Sequence, residues 1–441
     1  MSAWPPVKIG LLGLGTVGSG VTRVLARNAE EISRRAGRAI AITHAAARNL
    51  DTTTAHTAGL KLTSEALDVV DDPEIAIIIE LMGGYEPARS LVLRALANGK
   101  HVITANKALI AKHGNEIFAA ASAAGMMVGF EAAVAGGIPI IKAIREGLAG
   151  NRLEWVAGII NGTANFILTE MRGGKGRDFP EALAEAQALG YAEADPTLDI
   201  EGIDAAHKLT ILASIAFGTP LSFDQVYIEG ISRITRSDVA AAAQLGYRIK
   251  HLGIARRDER GVQLRVHPTL IPQNRLLAHV NGVMNAVLVK GDAVGQSLFY
   301  GAGAGAEPTA SAVVADIVDV VRALTADPEN RVPHLAFQPD ALSNLPIVPM
   351  AAVETAYYLR LQALDQPGVL ADITRILASC GISIEALLQK EAPPSASVVP
   401  IILLINRVEE WRMNQAIAAI EALDTIQAPV TRIRLEHLDS D

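Results

Sequence analysis

Val7 to Leu12 is a short apolar run that passes at once into GLGTVG, residues 13 to 18, and then into an amphipathic stretch carrying Val21, Val24 and Leu25. That order is a strand, a glycine turn and a helix. Gly13, Gly15 and Gly18 stand where a tight turn, a close approach to a pyrophosphate and close helix–strand packing each need a residue without a side chain. The helix offers its positive end to phosphate, with the backbone amides of Thr16 and Val17 at the turn. A merely structural glycine turn is the competing reading; the strand before and the helix after favour a dinucleotide site. Further strands are expected at Ala39 to Ala47, Ile75 to Leu81, His101 to Thr104 and Met126 to Glu131, with helical patterns between them. Such alternation implies a parallel sheet covered by helices on both faces, a Rossmann-type α/β domain over residues 1–138.

The rest of the 441-residue chain reads as two more domains. Residues 139–330 mix helical patterns (Ile140 to Leu148, Ala164 to Arg172, Pro180 to Leu189, Ile203 to Phe217) with strands at Leu153 to Asn161 and Val262 to Thr269, an α+β substrate and dimerisation domain. Pro333, Pro339, Pro346 and Pro349 break both periodicities, so 331–352 is read as a linker. Over 353–436 the pattern is βαββαβ: strands at Tyr357 to Asp365, Ile382 to Lys390, Val398 to Ile405 and Val430 to Leu435, and helices at Val369 to Cys380 and Trp411 to Leu423. Its small size and the linker before it suggest a regulatory appendage.

Composition narrows the class. With 39 Lys plus Arg against 47 Asp plus Glu, the net charge of -8 disfavours a general nucleic-acid binder. The single cysteine, Cys380, can form neither an internal disulfide nor a cysteine zinc cage, which suits a reducing cytoplasm. The start, Met-Ser-Ala-Trp-Pro-Pro, has no basic segment followed by an apolar core, and apolar runs such as Ile75 to Met82 fall short of a membrane span. A soluble, cytoplasmic protein without membrane or nucleic-acid partners is expected.

Five further segments carry candidate chemistry. Ala47-Arg48-Asn49 follows the second strand, where an acidic residue would meet the ribose of NAD; Arg48 instead favours the 2'-phosphate of NADP, against a solvated arginine. TANK, residues 104 to 107, ends the fourth strand on the carboxyl edge of the sheet, which places Thr104 and Lys107 to face cofactor and substrate; a solvated lysine opening a helix is the competing reading for Lys107. EAAVAGGIP, residues 131 to 139, joins one carboxylate to a glycine turn whose carbonyls could hold a hard cation or form a plain hinge. GYAEADPTLDIEGIDAAHK, residues 190 to 208, crowds Glu193, Asp195, Asp199, Glu201 and Asp204 ahead of Lys208 in an otherwise apolar helix. Asp204 and Lys208, four apart, share a helix face. A surface ion pair is the bland alternative, but the apolar helix turns Lys208 into a cleft. A desolvated lysine beside a second lysine has a lowered pKa, as acid–base work near neutral pH requires. His207 points about 100 degrees away from Lys208 and is not expected to be catalytic. GAGAG, residues 301 to 305, could return to the nucleotide as a lid or be a flexible loop.

Taken together, GLGTVG, TANKALIA, EAAVAGGIPIIKAIREGL, NGTANFIL, GYAEADPTLDIEGIDAAHKL, YGAGAGAEPTASAVVADI and LDQPGVL resemble homoserine dehydrogenases of the long bacterial type, which carry a C-terminal ACT domain. The resemblance implies reversible interconversion of L-homoserine and L-aspartate 4-semialdehyde with NAD(P), on the common path to threonine, isoleucine and methionine. It makes Lys208 the proton donor and acceptor with Lys107 assisting, and Glu193, Asp204 and Asp199 the ligands of the amino acid. Gly190 and Gly305 would touch the nicotinamide nucleotide, with Gly13, Thr16 and Val17 at its phosphates. A monovalent cation, sodium, would lie at Glu131 and the carbonyls of Val134, Gly136 and Ile138. In the ACT domain, Asp365, Gln366, Gly368 and Val369 would meet an amino-acid effector, L-threonine by analogy, and ACT pairing implies a homodimer or homotetramer. Two other readings stay open: a sensor that binds nucleotide and amino acid without catalysis, and a related NADP oxidoreductase acting on another semialdehyde.

Overall fold

In the computed structural model, residues 5–49, 59–173, 176–328, 331–389 and 397–438 are described. Met1 to Trp4 and Lys390, which figure in the expectations above, lie outside them. The first sheet consists of β1 (Val7–Leu12), β2 (Ile40–Ala46), β3 (Lys61–Thr63), β4 (Ile77–Glu80), β5 (His101–Thr104) and β6 (Val128–Gly129), all parallel, in the order β3-β2-β1-β4-β5-β6. The order reverses between β1 and β4, and in such sheets ligands collect in the crevice beyond the strand ends at that switch point. All five expected strands fall within two residues of their bounds, β6 being only two residues long, and the three-residue β3 carried too little pattern to be read.

The remaining strands are β7 (Leu153–Ile159), β8 (Tyr227–Ile228), β9 (Tyr247–Asp258), β10 (Gly261–Pro272), β11 (Met284–Gly291), β12 (Gly295–Ala302), β13 (Glu354–Leu364), β14 (Ile384–Gln389), β15 (Val398–Glu409) and β16 (Thr431–Leu435). The chain forms two compact units: Met1–Gly162 with Asp204–Val226 and Met284–Leu345, and Thr163–Ile203 with Tyr227–Val283 and Pro346–Asp441. Neither unit is a continuous stretch, so each gathers parts of more than one domain expected from the sequence.

In the first unit, β7, β11 and β12 form an antiparallel array beside the parallel sheet in the same unit. The helix Ala306–Ala323 returns from far along the chain to the parallel sheet, burying Ala310, Val313, Ile317 and Val321 with Ile9, Leu11, Val21, Ile77 and Ile103. Each large side chain so buried contributes roughly 1.5–3 kcal/mol. The helix Thr16–Arg27 packs against it, closely enough that a side chain on Gly20 would strike the Ala306 carbonyl, and Arg27 pairs with Glu307 at 3.0 Å.

In the second unit, β9 and β10 form a long antiparallel hairpin and β8 pairs with β10. The βαββαβ segment is present, with strand order β16-β13-β15-β14 and helices Val369–Ser379 and Glu410–Glu421. One face of its sheet packs Tyr357, Leu359, Leu361 and Leu403 beneath those helices. The other packs Tyr358, Ile402, Leu404 and Ile433 against Phe166, Ile167 and Met171. Burial on both faces explains why VVPIILLI, residues 398 to 405, is a continuous apolar run rather than an alternating one. Residues 331–352 carry short turns of 3-10 helix but, where described, no α-helix or strand. Their backbone is nonetheless tied down: Ser343 donates to the Gly218 carbonyl, and Val348 N–H to the Val262 carbonyl at 2.8 Å.

Candidate active site

The glycine turn leaves β1 with Gly13 at φ +102°, a left-handed conformation that disfavours any side chain. A Cβ there would also lie 2.8 Å from the Leu81 carbonyl, and one on Gly18 would overlap the Gly13 carbonyl. Gly15 faces open space at the N-cap of Thr16–Arg27, a helix with no acidic residue in its first turn and no side chain capping it. Its free amides, including those of Thr16 and Val17, are therefore open to an anion. Arg48 stands exposed just past the end of β2.

Glu80, the last residue of β4, was not singled out in the sequence, yet it organises the crevice. It is fully buried; its Oε1 accepts from the amides of Met82 and Gly83 at 2.7 and 3.2 Å, and its Oε2 from the Thr104 hydroxyl at 2.6 Å. Thr104 Oγ1 in turn accepts from Asn106 N–H. The Asn106 side chain donates to the Gly84 carbonyl at 2.6 Å and caps the helix Lys107–Ala124 by accepting from Leu109 N–H. Thr104, expected at the cofactor, thus spends its hydroxyl on this framework. The signal that could have exposed Glu80 is a lone acid closing an otherwise apolar strand, IIIE.

That framework fixes Lys107 at the first turn of its helix. Its Nζ reaches Asp204 Oδ1 at 2.9 Å. Asp204 Oδ2 accepts from Lys208 Nζ at 2.7 Å and from Asn161 Nδ2 at 2.9 Å, and Lys208 Nζ also donates to the Ile160 carbonyl at 2.8 Å. Asp204 and Lys208 are buried, on the apolar helix Ile203–Phe217, while the Lys107 side chain is 43% exposed. Burial pushes the Asp204 carboxyl up, but Lys208 and Lys107 outweigh it and hold it well below the usual carboxylate range. The Asp204 carboxylate stands between the two lysines and contacts the Nζ of each. Asn161 and the Ile160 carbonyl are further site groups that sequence reading missed. His207 stacks on Phe223 at 4.4 Å and is held neutral, its pKa lowered to about 4 chiefly by burial.

Glu193, Asp199 and Gly190 belong to the second unit. Gly190, φ +73°, follows the helix Phe179–Ala188, and Gln187 Nε2 donates to the carbonyls of Glu193 and Ala194 at 3.1 and 3.4 Å. Asp199 sits in the short helix Thr197–Ile200. In the first unit, Gly305 is the N-cap of Ala306–Ala323 with φ +121°.

At the candidate cation turn, both Glu131 carboxyl oxygens accept backbone amides, Ile141 at 2.9 Å and Lys142 at 2.8 Å, and Glu131 N–H donates to Asp316. The carboxyl is thereby committed to the start of the next helix, and burial, with Asp316 beside it, pushes it up to about 7. For a cation the turn also offers main-chain oxygen from Val134, Gly136 and Ile138, all three buried. Among the described residues, no three His, Cys, Asp or Glu side chains cluster as a metal site. The turn Asp365, Gln366, Gly368 joins β13 to its helix and is exposed, with Gly368 at φ +96° and Val369 buried beneath it.

Among the described residues no helix is long and apolar enough to cross a membrane. Family models match at residues 13–131 (homoserine dehydrogenase, NAD binding domain), 139–318 (homoserine dehydrogenase) and 357–424 (ACT domain). The homoserine dehydrogenase of Pseudomonas aeruginosa is 66% identical over 98% of this chain and 100% of its own, and that of Neisseria gonorrhoeae 54% identical over 98% and 99%. A crystal structure of a homoserine dehydrogenase from Thiobacillus denitrificans is 67% identical and superposes over 100% of both chains with a TM-score of 0.95. A hyperthermophilic archaeal homoserine dehydrogenase mutant in complex with NADPH is 25% identical, with a TM-score of 0.61 over 72% of this chain and 98% of that one. A nucleotide-binding glycine turn, a Lys–Asp–Lys cluster and a C-terminal ACT fold thus occur in one chain, which belongs to the homoserine dehydrogenase family.

Proposed function

We propose that Lys208 is the group that exchanges the substrate's hydroxyl proton as L-homoserine and L-aspartate 4-semialdehyde interconvert, with Lys107 assisting. The observation that carries this reading is Asp204 holding both lysine ammonium groups, at 2.9 and 2.7 Å. When bound, the nicotinamide accepts or donates the hydride at the substrate's C4. In the oxidative direction Lys208, as the neutral amine, takes the hydroxyl proton at Nζ and becomes the ammonium that Asp204 holds; in the reductive direction that ammonium returns the proton to the developing alkoxide and is left as the amine. Asp204 fixes where both Nζ atoms stand, and Glu193 and Asp199 hold the substrate ammonium. Gly190 and Gly305 meet the nicotinamide nucleotide, and the free amides at Thr16 and Val17 meet its phosphates. Exposed Arg48 beyond β2 supports NADP over NAD through a guanidinium–phosphate pair.

A sodium ion, where one binds, is held by Glu131 together with the main-chain oxygens of Val134, Gly136 and Ile138, while the Glu131 carboxyl also accepts the Ile141 and Lys142 amides. The exposed turn at Asp365, Gln366, Gly368 and Val369 takes an amino-acid effector, L-threonine, and the enzyme works in the cytoplasm as a homodimer or homotetramer. Initial rates of homoserine oxidation with NADP and with NAD, each with and without threonine, test the reading. Lys208→Ala is expected to collapse turnover while cofactor affinity stays within about twofold; near-normal turnover refutes the role given to Lys208.

A further inference from the structure

Asn285 is 1% exposed, and neither its Nδ2 nor its Oδ1 has a hydrogen-bond partner. A buried donor or acceptor left unpaired is costly, and in native proteins such a group points to a missing partner. Its position is specific. Asn285 lies in β11 opposite Gly301 of β12. Ala286 pairs with Ile159 in β7, so the antiparallel register brings Asn285 level with Ile160, whose carbonyl holds Lys208 Nζ.

Gly303 covers the amide: a Cβ there would overlap Asn285's Cγ, Nδ2 and Oδ1. Gly303 is itself approached closely by the cation turn, since a Cβ on Gly136 would lie 2.6 Å from the Gly303 carbonyl. The unpaired amide, the GAGAG loop and the 134–138 turn therefore approach one another closely near the lysine cluster, and Gly303 and Gly136 keep those approaches free of side chains.

The chemistry of the orphaned pair selects among ligands. A cation would satisfy the oxygen alone, and a phosphate or carboxylate the NH2 alone. A primary carboxamide presents one acceptor and one donor side by side and satisfies both. We propose that Asn285 is a specificity-determining residue for the cofactor, pairing its amide with the carboxamide of the nicotinamide ring when Gly303 moves off it. The proposal rests on the reading that the GAGAG loop meets the nicotinamide.

The test is calorimetric affinity of the full-length protein for NADP+ and for its 3-acetylpyridine analogue, in which a methyl replaces the carboxamide NH2. Asn285→Ala is expected to weaken NADP+ at least tenfold and the analogue at least threefold less than that. Isosteric Asn285→Asp, which keeps the shape but loses the NH2 donor, should weaken both dinucleotides and serves if the alanine variant does not fold. Equal losses for the two ligands, as for a residue that only holds an internal water or the fold, overturn the proposal, as does unchanged NADP+ affinity. If the wild type binds no nicotinamide dinucleotide, the cofactor reading fails with it; if it binds NADP+ and the variants do too, only the proposal fails.

Discussion

Replacing Asp204 by asparagine removes one charge while keeping the shape of the side chain, and the structure shows how the loss is distributed. Oδ2 serves two donors, Lys208 Nζ at 2.7 Å and Asn161 Nδ2 at 2.9 Å, whereas Oδ1 serves Lys107 Nζ at 2.9 Å. An amide keeps more bonds by placing its oxygen toward Lys208 and Asn161, which turns its NH2 against the Lys107 ammonium. Two donors then face each other, and Lys107, 43% exposed, swings toward solvent. Lys208, buried on its apolar helix, has no such exit and is left beside a neutral group. Removing one member of a buried ion pair costs about 3–5 kcal/mol. Taking about 3 kcal/mol as lost from the reacting arrangement gives a fall in turnover of roughly 150-fold at 1.36 kcal/mol per tenfold. Steady-state rates of homoserine oxidation, read beside cofactor affinity and thermal midpoint, measure it. Lys107→Met, which removes only the more exposed partner, should cost turnover less. Because the native Asp204 carboxyl lies well below the usual range, its stabilisation is present above that range and lost as pH falls through it, so the variant should also unfold over a shallower acid slope. A kcat within threefold of wild type, with cofactor affinity unchanged, would show that Asp204 does not set the positions of the lysines.

Glu80→Ala strips partners from the Met82 and Gly83 amides and the Thr104 hydroxyl; at about 1–3 kcal/mol per orphaned group, denaturant titration should show a loss of several kcal/mol, and Glu80→Gln, which can still accept from the amides, should recover most of it. His101 is buried and accepts from Met127 N–H through Nδ1 at 2.9 Å, and burial, with Arg331 nearby, lowers its pKa to about 4. The native state therefore resists a proton that the unfolded chain takes up near pH 6.5, so stability is full above that pH and declines as pH falls toward 4, by up to about 3 kcal/mol. His101→Asn preserves an acceptor without the titration and should flatten the fall in thermal midpoint across that window; parallel curves for the two proteins would refute the assignment.

What could be read from the sequence was whatever local spacing encodes. Gly13 and Gly18 announce the turn because their steric demands lie within six residues, and the Asp204–Lys208 contact follows from four-residue spacing on one helix. The bridge from Asp204 to Lys107 has no local signature, because it depends on two helices from distant parts of the chain meeting in one unit. β9 was missed for another reason: YRIKHLGIARRD looks polar, yet Lys250 and His251 are buried, Lys250 against Asn165 Oδ1 at 3.1 Å and His251 against the Glu229 carbonyl at 3.0 Å. Polar side chains satisfied by distant partners erase the alternation that marks a strand. Glu131 shows the same limit from another side: an acid beside a glycine turn suggests a cation ligand, but spacing gives no sign that its oxygens also meet the Ile141 and Lys142 amides ten and eleven residues on.

The C-terminal segment shows where a sequence pattern suggests more independence than the packing allows. Its βαββαβ period and the prolines before it describe a detachable module, but β16 pairs with β13 on one side and in parallel with β10 on the other, Thr269 opposite Arg434 and Leu270 opposite Leu435. Arg434 is fully buried; it pairs with Glu410 of the module and with Glu229 at 2.7 Å, and lies over the Tyr227 ring at 4.8 Å. Glu436 meets the buried Arg265 at 2.6 Å. Cutting the chain near residue 350 would leave Glu229 and Arg265 without these partners and bare the side of β10, and breaking a buried pair costs about 3–5 kcal/mol. Lost threonine sensitivity in such a truncation would then report damage to the sheet as readily as removal of a sensor. Substitution in the exposed turn at Asp365 or Gln366 leaves that buried network whole, so a change in effector response there can be assigned to the turn itself.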